Sequence, residues 1–360
     1  MSDHKIPEKE LLGWYDQVKR PMLWRETRDP YRIWISEIML QQTRVDQATP
    51  FFIRFMERFP TIEHLANADQ HDVLMCWEGL GYYSRARNMH ETAQIIVRDL
   101  SGIFPSEHKT LLSLKGIGPY TAAAILSIAF DKPYAVVDGN VIRVVTRFLG
   151  ITDDVTKAGT QKQIQAYVDE SISHTRPGDF NQAMMELGAT VCLPSNPKCD
   201  VCALNESCVA NKTLQTQTIP YKPTKQKAPH YQIVVGIIED RATNKILISK
   251  RNNDAMLGGL WEFPGGKQES GESDVQTLRR ELDEELGVSI DEIAHFVSIK
   301  HTYSHFKITL HAYKCVLANG TPTAKSSQEI KWVRLNELIN YPFPKANRLI
   351  TNKLMNDSGT

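Results

Sequence analysis

Residues 111–128 read LLSLKGIGPYTAAAILSI, and the run Gly116-Ile117-Gly118-Pro119 inside them decides how this part of the chain folds. The pattern predicts a helix ending at Lys115, a turn over Gly116 to Gly118, and a second helix that Pro119 opens at its first position. The two glycines let the backbone come close to a ligand. Unpaired N–H groups and the helix dipole beyond them favour an anion such as a phosphate. A tight connection between two helices needs the same residues, so the run alone leaves a structural and a binding reading open.

Helical spacing extends on both sides, over residues 8–190. LLGWYDQV, YRIWISEIMLQQ, PFFIRFMERF, ETAQIIVRDL and VIRVVTRFLG all repeat apolar residues at that spacing. Within YRIWISEIMLQQ, Glu37 sits among Ile33, Trp34, Ile38, Met39 and Leu40. A carboxyl in that setting loses water and its pKa is expected to rise, unless the helix turns it to solvent. Beyond the hairpin, VVDGNVIRVV places Asp138 where a helix N-cap belongs. A plain cap is the commoner reason for such an aspartate. One acid poised to give a proton beside one fixed anion is also the arrangement that glycosidic bond cleavage uses.

Four of the six cysteines, Cys192, Cys199, Cys202 and Cys208, crowd into residues 192–208. The N-terminus, MSDHKIPEKE, carries no apolar leader, and no run of about eighteen apolar residues exists. A cytoplasmic location without a membrane partner is therefore expected, and clustered thiols there point to metal rather than disulfides. Spacing alone favours neither zinc nor iron–sulfur. Cys76 and Cys315 stand alone and are expected to be buried small hydrophobes.

Charge excludes little. The 360 residues hold 42 basic and 42 acidic side chains, 26 of each up to residue 229 and 16 of each after it. Bulk charge thus gives no sign of nucleic acid, and such a reading must rest on local motifs. Length suits two domains. Residues 1–210 are expected to form a helical domain. Residues 211–229, polar and proline-bearing, read as a linker. Residues 230–360 read as α+β, with strands in YQIVVGIIED, NKILISKR and KITLHAYKCVL.

That second part holds GKQESGESDVQTLRRELDEELGV, residues 266–288. Glu281, Glu284 and Glu285 fall at i, i+3 and i+4 and share one helix face. Carboxylates packed this way repel, which points to a cation.

Together, WISEIMLQQT, LKGIGPY, VVDGNV and the Cys192-x6-Cys199-x2-Cys202-x5-Cys208 spacing resemble the endonuclease III superfamily of helix-hairpin-helix DNA glycosylases. Within it they are most similar to the branch that removes adenine. The resemblance covers nearly the whole chain and implies a multi-domain fold: an all-α glycosylase domain with a [4Fe–4S] cluster loop, then a Nudix-like α+β domain. It implies base-excision repair, with double-stranded DNA carrying an 8-oxoguanine:adenine or guanine:adenine mismatch as partner, and a monomer. Glu37 would protonate adenine and Asp138 would stabilise the oxocarbenium-like sugar. Tyr120 stands where strand-cutting relatives carry lysine, and a phenol forms no Schiff base, so a monofunctional enzyme is implied. Trp24, Arg25, Gln42, Thr43, Leu80, Tyr82, Asn140 and Gln182 match positions around the flipped base, the lesion or the duplex, and Gly116 and Gly118 the phosphate-facing hairpin. The four clustered cysteines match the cluster ligands.

Residues 266–288 also fit the Nudix box at every fixed position: Gly266, Glu272, Arg280, Glu281, Glu284, Glu285 and Gly287. In this branch the domain reads 8-oxoguanine, here through Tyr303, Ser304 and His305. The box is usually eroded in the branch, and its survival here keeps a second expectation open: Mg2+ held by Glu281, Glu284 and Glu285 for pyrophosphohydrolysis of (8-oxo-)dNTPs.

Overall fold

The computed structural model describes residues 4–224, 228–303 and 305–357. Two compact units are present: Met1–Ala66 with Glu91–Lys225, and Asn67–His90 with Gln226–Thr360.

The helices, in chain order, are α1 (Glu8–Val18), α2 (Pro30–Leu40), α3 (Val45–Arg58), α4 (Ile62–Ala66), α5 (Gln70–Trp77), α6 (Ser84–Asp99), α7 (His108–Ser113), α8 (Pro119–Phe130), α9 (Gly139–Leu149), α10 (Ala158–Ser171), α11 (Pro177–Thr190) and α12 (Val209–Lys212). Local chemistry explains the ends that matter. Asp29 caps α2 by accepting from the Tyr31 N–H at 2.9 Å, with Pro30 at the first position. Every residue of α8 from Thr121 to Ser127 is buried, because the helix is apolar on all sides and runs through the middle of its unit.

Helix α7 stops at Ser113, two residues before the expected Lys115, because Leu114 is already extended. The α7–α8 turn then needs Gly116, whose φ is +79°, while Ile117 pins it into the core at 4 % exposure. The main core of this unit joins α1, α9, α10 and α11 through Leu11, Val145, Phe148, Ile164, Phe180 and Leu187.

Two boundaries differ from the sequence reading. The expected linker begins packed: Ile219 is buried, its carbonyl accepts from Arg147 Nε at 2.8 Å, and the Tyr221 carbonyl accepts from the Val155 N–H at 3.2 Å. Residues 67–90, read as part of the helical domain, group with the C-terminal unit. A Glu78–Arg348 ion pair spans the two segments.

The C-terminal unit is a mixed seven-stranded sheet: β1 (His230–Asp240), β2 (Lys245–Lys250), β3 (Trp261–Glu262), β4 (Gly265–Lys267), β5 (Ser289–Thr302), β6 (Lys307–Asn319) and β7 (Glu329–Arg334). Helix α13 (Asp274–Leu286) lies between β4 and β5, and α14 (Lys345–Asp357) follows β7. Strand β1 runs parallel to β6 and antiparallel to β2 and β4. Alternate residues of β1 serve opposite faces. Val235 and Ile237 pack with Ile350 and Leu354 of α14, while Val234 and Ile238 pack with Leu278, Leu282 and Leu286 of α13. Gly236 lets α13 come close, since a Cβ there would lie 3.2 Å from Leu282. Pairing of β5 with β6 shifts register three times between Ser289 and Val297, then runs unbroken from Val297↔Ala312 to Thr302↔Lys307.

Candidate active site

Helix α2 is buried on nearly every side from Ile33 to Met39, so its one carboxylate is taken out of bulk water. Glu37 is 6 % exposed. Its Oε2 accepts from the Tyr120 hydroxyl at 2.8 Å. Burial pushes the Glu37 pKa up to about 7; Tyr120 and the charge of Arg25 pull it down, and the charge of Asp138 pushes it further up. Burial also holds the Tyr120 hydroxyl well above its ordinary value, so it stays a donor.

Asp138 caps α9. Its Oδ1 accepts from the N–H groups of Asn140 at 2.9 Å and Val141 at 2.7 Å, and its Oδ2 from Asn140 Nδ2 at 2.8 Å. The cap fixes the carboxylate before any substrate arrives.

Glu37, Tyr120 and Asp138 line one cleft of about 170 Å3, a volume on the scale of a nucleobase. Of the other sequence-derived residues, Trp24, Arg25, Thr43, Asn140 and Gln182 line it too. Gln42 is exposed, and both Gln42 and Tyr82 take positive φ, +57° and +50°. Non-glycine residues hold that conformation only where their surroundings enforce it. Leu80 is buried, and with Tyr82 it belongs to the C-terminal unit. Gly118 has open space where a side chain would stand, so a backbone-sized ligand can approach it. Asn181, the neighbour of Gln182, is a structural residue. It is buried and bonds the Val136 N–H, Ser127 Oγ and the Tyr134 carbonyl.

The sequence reading missed Arg20 and Glu186, which also line the cleft. Glu186 is buried on α11 and accepts from Arg20 Nη2 at 3.0 Å and Arg25 Nη2 at 2.8 Å. Burial raises the Glu186 pKa, but the two arginines outweigh it and leave the carboxyl below its ordinary value. The pairing orients the Arg25 fork. Its one sequence signal was a lone acid in the apolar stretch AMMELGA.

In the same unit Cys192, Cys199, Cys202 and Cys208 line a second cavity of about 20 Å3. All four are free of disulfides. Burial, and the other thiols, push Cys202 up to about 11, so a nearby cation would be needed to hold the set as thiolates. Arg147 supplies part of that charge, with Nη1 at 3.4 Å from Cys192 Sγ. Among the described residues, no three His, Cys, Asp or Glu side chains converge tightly enough for a single ion. Four thiols around one cavity are a ligand set that zinc and iron–sulfur centres both use.

The lack of convergence covers the α13 carboxylates too. Arg280 binds Glu272 at 2.7 and 3.0 Å, Glu281 at 2.9 Å and Glu284 at 3.2 Å. Glu285 accepts from the Gly265 N–H at 3.0 Å, and burial pushes it up to about 7. A Cβ at Gly266 would meet the Glu281 carboxylate, which would have to move aside. At the β5–β6 tip, Tyr303 stacks on Phe306 with ring centroids 4.8 Å apart, and His305 is exposed. Ser304 lies outside the described residues.

Residues 35–170 match the family of HhH-GPD superfamily base excision DNA repair proteins, and residues 234–353 match the NUDIX domain. The chain is similar to the adenine DNA glycosylase of Rattus norvegicus, at 35 % identity over 92 % of this chain and 74 % of that one. It is also similar to the adenine DNA glycosylase of Buchnera aphidicola subsp. Acyrthosiphon pisum, at 32 % identity over 93 % of both chains. Among solved structures, a thermostable thymine-DNA glycosylase aligns with 57 % of this chain and 94 % of its own, at 27 % identity and a TM-score of 0.52. The chain is a DNA glycosylase, and it belongs to the adenine DNA glycosylase family.

Proposed function

We propose that this glycosylase removes adenine paired with 8-oxoguanine, or with guanine, in double-stranded DNA, and that Glu37 and Asp138 carry the chemistry. The supporting observation is the pairing of a buried carboxyl, titrating near neutrality, with a second carboxylate fixed by a helix cap in the same cleft. A base must leave the stack to reach either group. Near neutral pH a large share of Glu37 is protonated, so it can donate to a ring nitrogen of adenine and make the base a neutral leaving group. Tyr120 then donates to the carboxylate left behind. That carboxylate takes a proton from the attacking water. Asp138 would offset the charge of the cationic sugar as the glycosidic bond breaks. No amine stands among the cleft-lining residues beside Glu37, so water rather than a Schiff base completes the reaction.

The four cysteines would hold a [4Fe–4S] cluster, which would tie together the ends and the middle of the loop 192–208. Arg147 already fastens that loop, donating to the carbonyls of Leu193 and of Pro194, the latter at 3.1 Å. In the C-terminal unit, Tyr303 and His305 stand at a hairpin tip as candidates for reading the opposing base. Single-turnover release of adenine from 8-oxoguanine:adenine, guanine:adenine and thymine:adenine duplexes tests the proposal. Release from the first two and not the third is expected; equal rates on all three would refute the mismatch.

A further inference from the structure

The turn that carries Leu80 and Tyr82 has a strained backbone. Gly79, Gly81 and Tyr82 take positive φ, at 97°, 80° and 50°. Glycine does this freely; tyrosine does it only when held. Bracing inside the turn is extensive. Trp77 Nε1 and Arg85 Nη2 each donate to the Gly81 carbonyl at 3.0 Å, and the Gly79 N–H donates to Tyr83 Oη at 3.1 Å.

The outer anchor of the turn lies far along the chain. Glu78, which immediately precedes Gly79, makes a two-pronged pair with Arg348 of α14: Nε to Oε1 at 2.6 Å and Nη2 to Oε2 at 2.9 Å. Both side chains are less than a fifth exposed, at 17 % and 18 %. Arg348 is itself oriented, donating to the Leu338 carbonyl at 3.1 Å and to the Tyr341 carbonyl, with its guanidinium over the Phe343 ring. Two lesser anchors flank the pair. Arg87 donates to the carbonyls of Gly258 and of Asn253, the latter at 3.1 Å, and His71 Nε2 meets the Asn340 carbonyl at 2.8 Å.

Apolar contacts would give cohesion alone. A largely desolvated fork-to-carboxylate pair fixes direction as well as distance. Neither Glu78 nor Arg348 lines the cleft that holds Glu37. We propose that Glu78 and Arg348 are positioning residues that lock the Leu80–Tyr82 turn to the C-terminal sheet, so that the element wedging the duplex and the element reading the mismatch move as one body. The proposal rests on the reading of Leu80 and Tyr82 as duplex contacts.

The test uses the full chain with Glu78→Gln, Arg348→Met, Arg348→Lys and the exchanged pair E78R/R348E. Duplexes carry 8-oxoguanine or guanine opposite adenine, with 2-aminopurine beside the mismatch so that wedging is seen as a fluorescence rise. Each single variant is expected to reduce the rise and to slow adenine release from the 8-oxoguanine duplex about tenfold, more than from the guanine duplex. The exchanged pair should recover part of both, since a glutamate at position 348 cannot donate to the Leu338 and Tyr341 carbonyls. Arg348→Lys keeps the charge without the fork and guards against unfolding in the harsher variants; it should fold and lose wedging in part. Wild-type wedging in Arg348→Lys, or an exchanged pair that melts like the wild type yet recovers neither signal, would overturn the proposal. A wild-type chain that releases adenine without any fluorescence rise would instead refute the duplex-contact reading.

Discussion

The Tyr120 hydroxyl donates to Glu37 Oε2 from 2.8 Å. Tyr120 therefore sets the proton affinity of Glu37 from one side while burial sets it from the other. Since the acid must be protonated to act, adenine release is expected to fall as pH rises through about 7. Removing the hydroxyl in Tyr120→Phe removes a lowering influence, so the falling limb should move to higher pH. A pH–rate profile under single-turnover conditions reads both; a limb that stays put in Tyr120→Phe would detach Tyr120 from the titration.

Glu37→Gln should cut the rate by about 10²- to 10⁴-fold while duplex binding persists. It should also stabilise the fold. The Glu37 pKa in the folded chain is raised, so the folded form holds its proton after the unfolded form has lost it. The resulting destabilisation is absent below the ordinary carboxylate range, grows as pH rises toward about 7, and is constant above that. At pH 8 the glutamine variant should gain on the order of 3 kcal/mol, and near pH 4 almost nothing. Thermal unfolding at the two pH values checks the sign.

Asp138→Asn separates cap from charge. Asparagine caps a helix about as well as aspartate, so the melting temperature should hardly move. The rate should fall about 10²- to 10³-fold, because the cationic sugar loses its counter-charge. Full activity in Asp138→Asn would reduce Asp138 to a cap.

Tyr120→Lys places an amine beside Glu37. Borohydride reduction during turnover is expected to trap a covalent protein–DNA adduct in that variant and none in the wild type. A wild-type adduct would overturn the monofunctional reading.

Incubation with Mg2+ and 8-oxo-dGTP addresses the α13 carboxylates. Arg280 already engages Glu281 and Glu284, and Glu285 faces a backbone N–H, so pyrophosphate release at background level is expected. Turnover that disappears in Glu284→Gln would show that these groups serve a metal after all.

Much of the site was legible because its signals are local. Glu37 among apolar neighbours, Asp138 at a helix start and the Gly116–Pro119 turn each occupy a few consecutive residues, and the backbone physics of those residues is the same in any fold. The α7–α8 hairpin and strands β1, β2 and β6 follow from periodicity in the same way, whereas the strand order and α14 do not. Arg20 with Glu186, and Glu78 with Arg348, left no such mark. Each pair joins positions 166 or 270 residues apart, and a charged residue in a helix reads the same whether it meets solvent or a distant partner. For the same reason residues 67–90 could not be assigned to the C-terminal unit from their own pattern, which is helical like the residues before them.

The β5–β6 ladder concentrates its irregularity at one end, with all three register shifts between Ser289 and Val297. A length change there can be absorbed by moving a bulge. From Val297 to Thr302 the pairing has no slack, and one inserted residue would turn Tyr303 to the opposite face. The hairpin is thus permissive at its root and unforgiving at its tip. Evolutionary drift in its length should collect over residues 289–296, and engineered insertions placed there should leave the tip's aim unchanged.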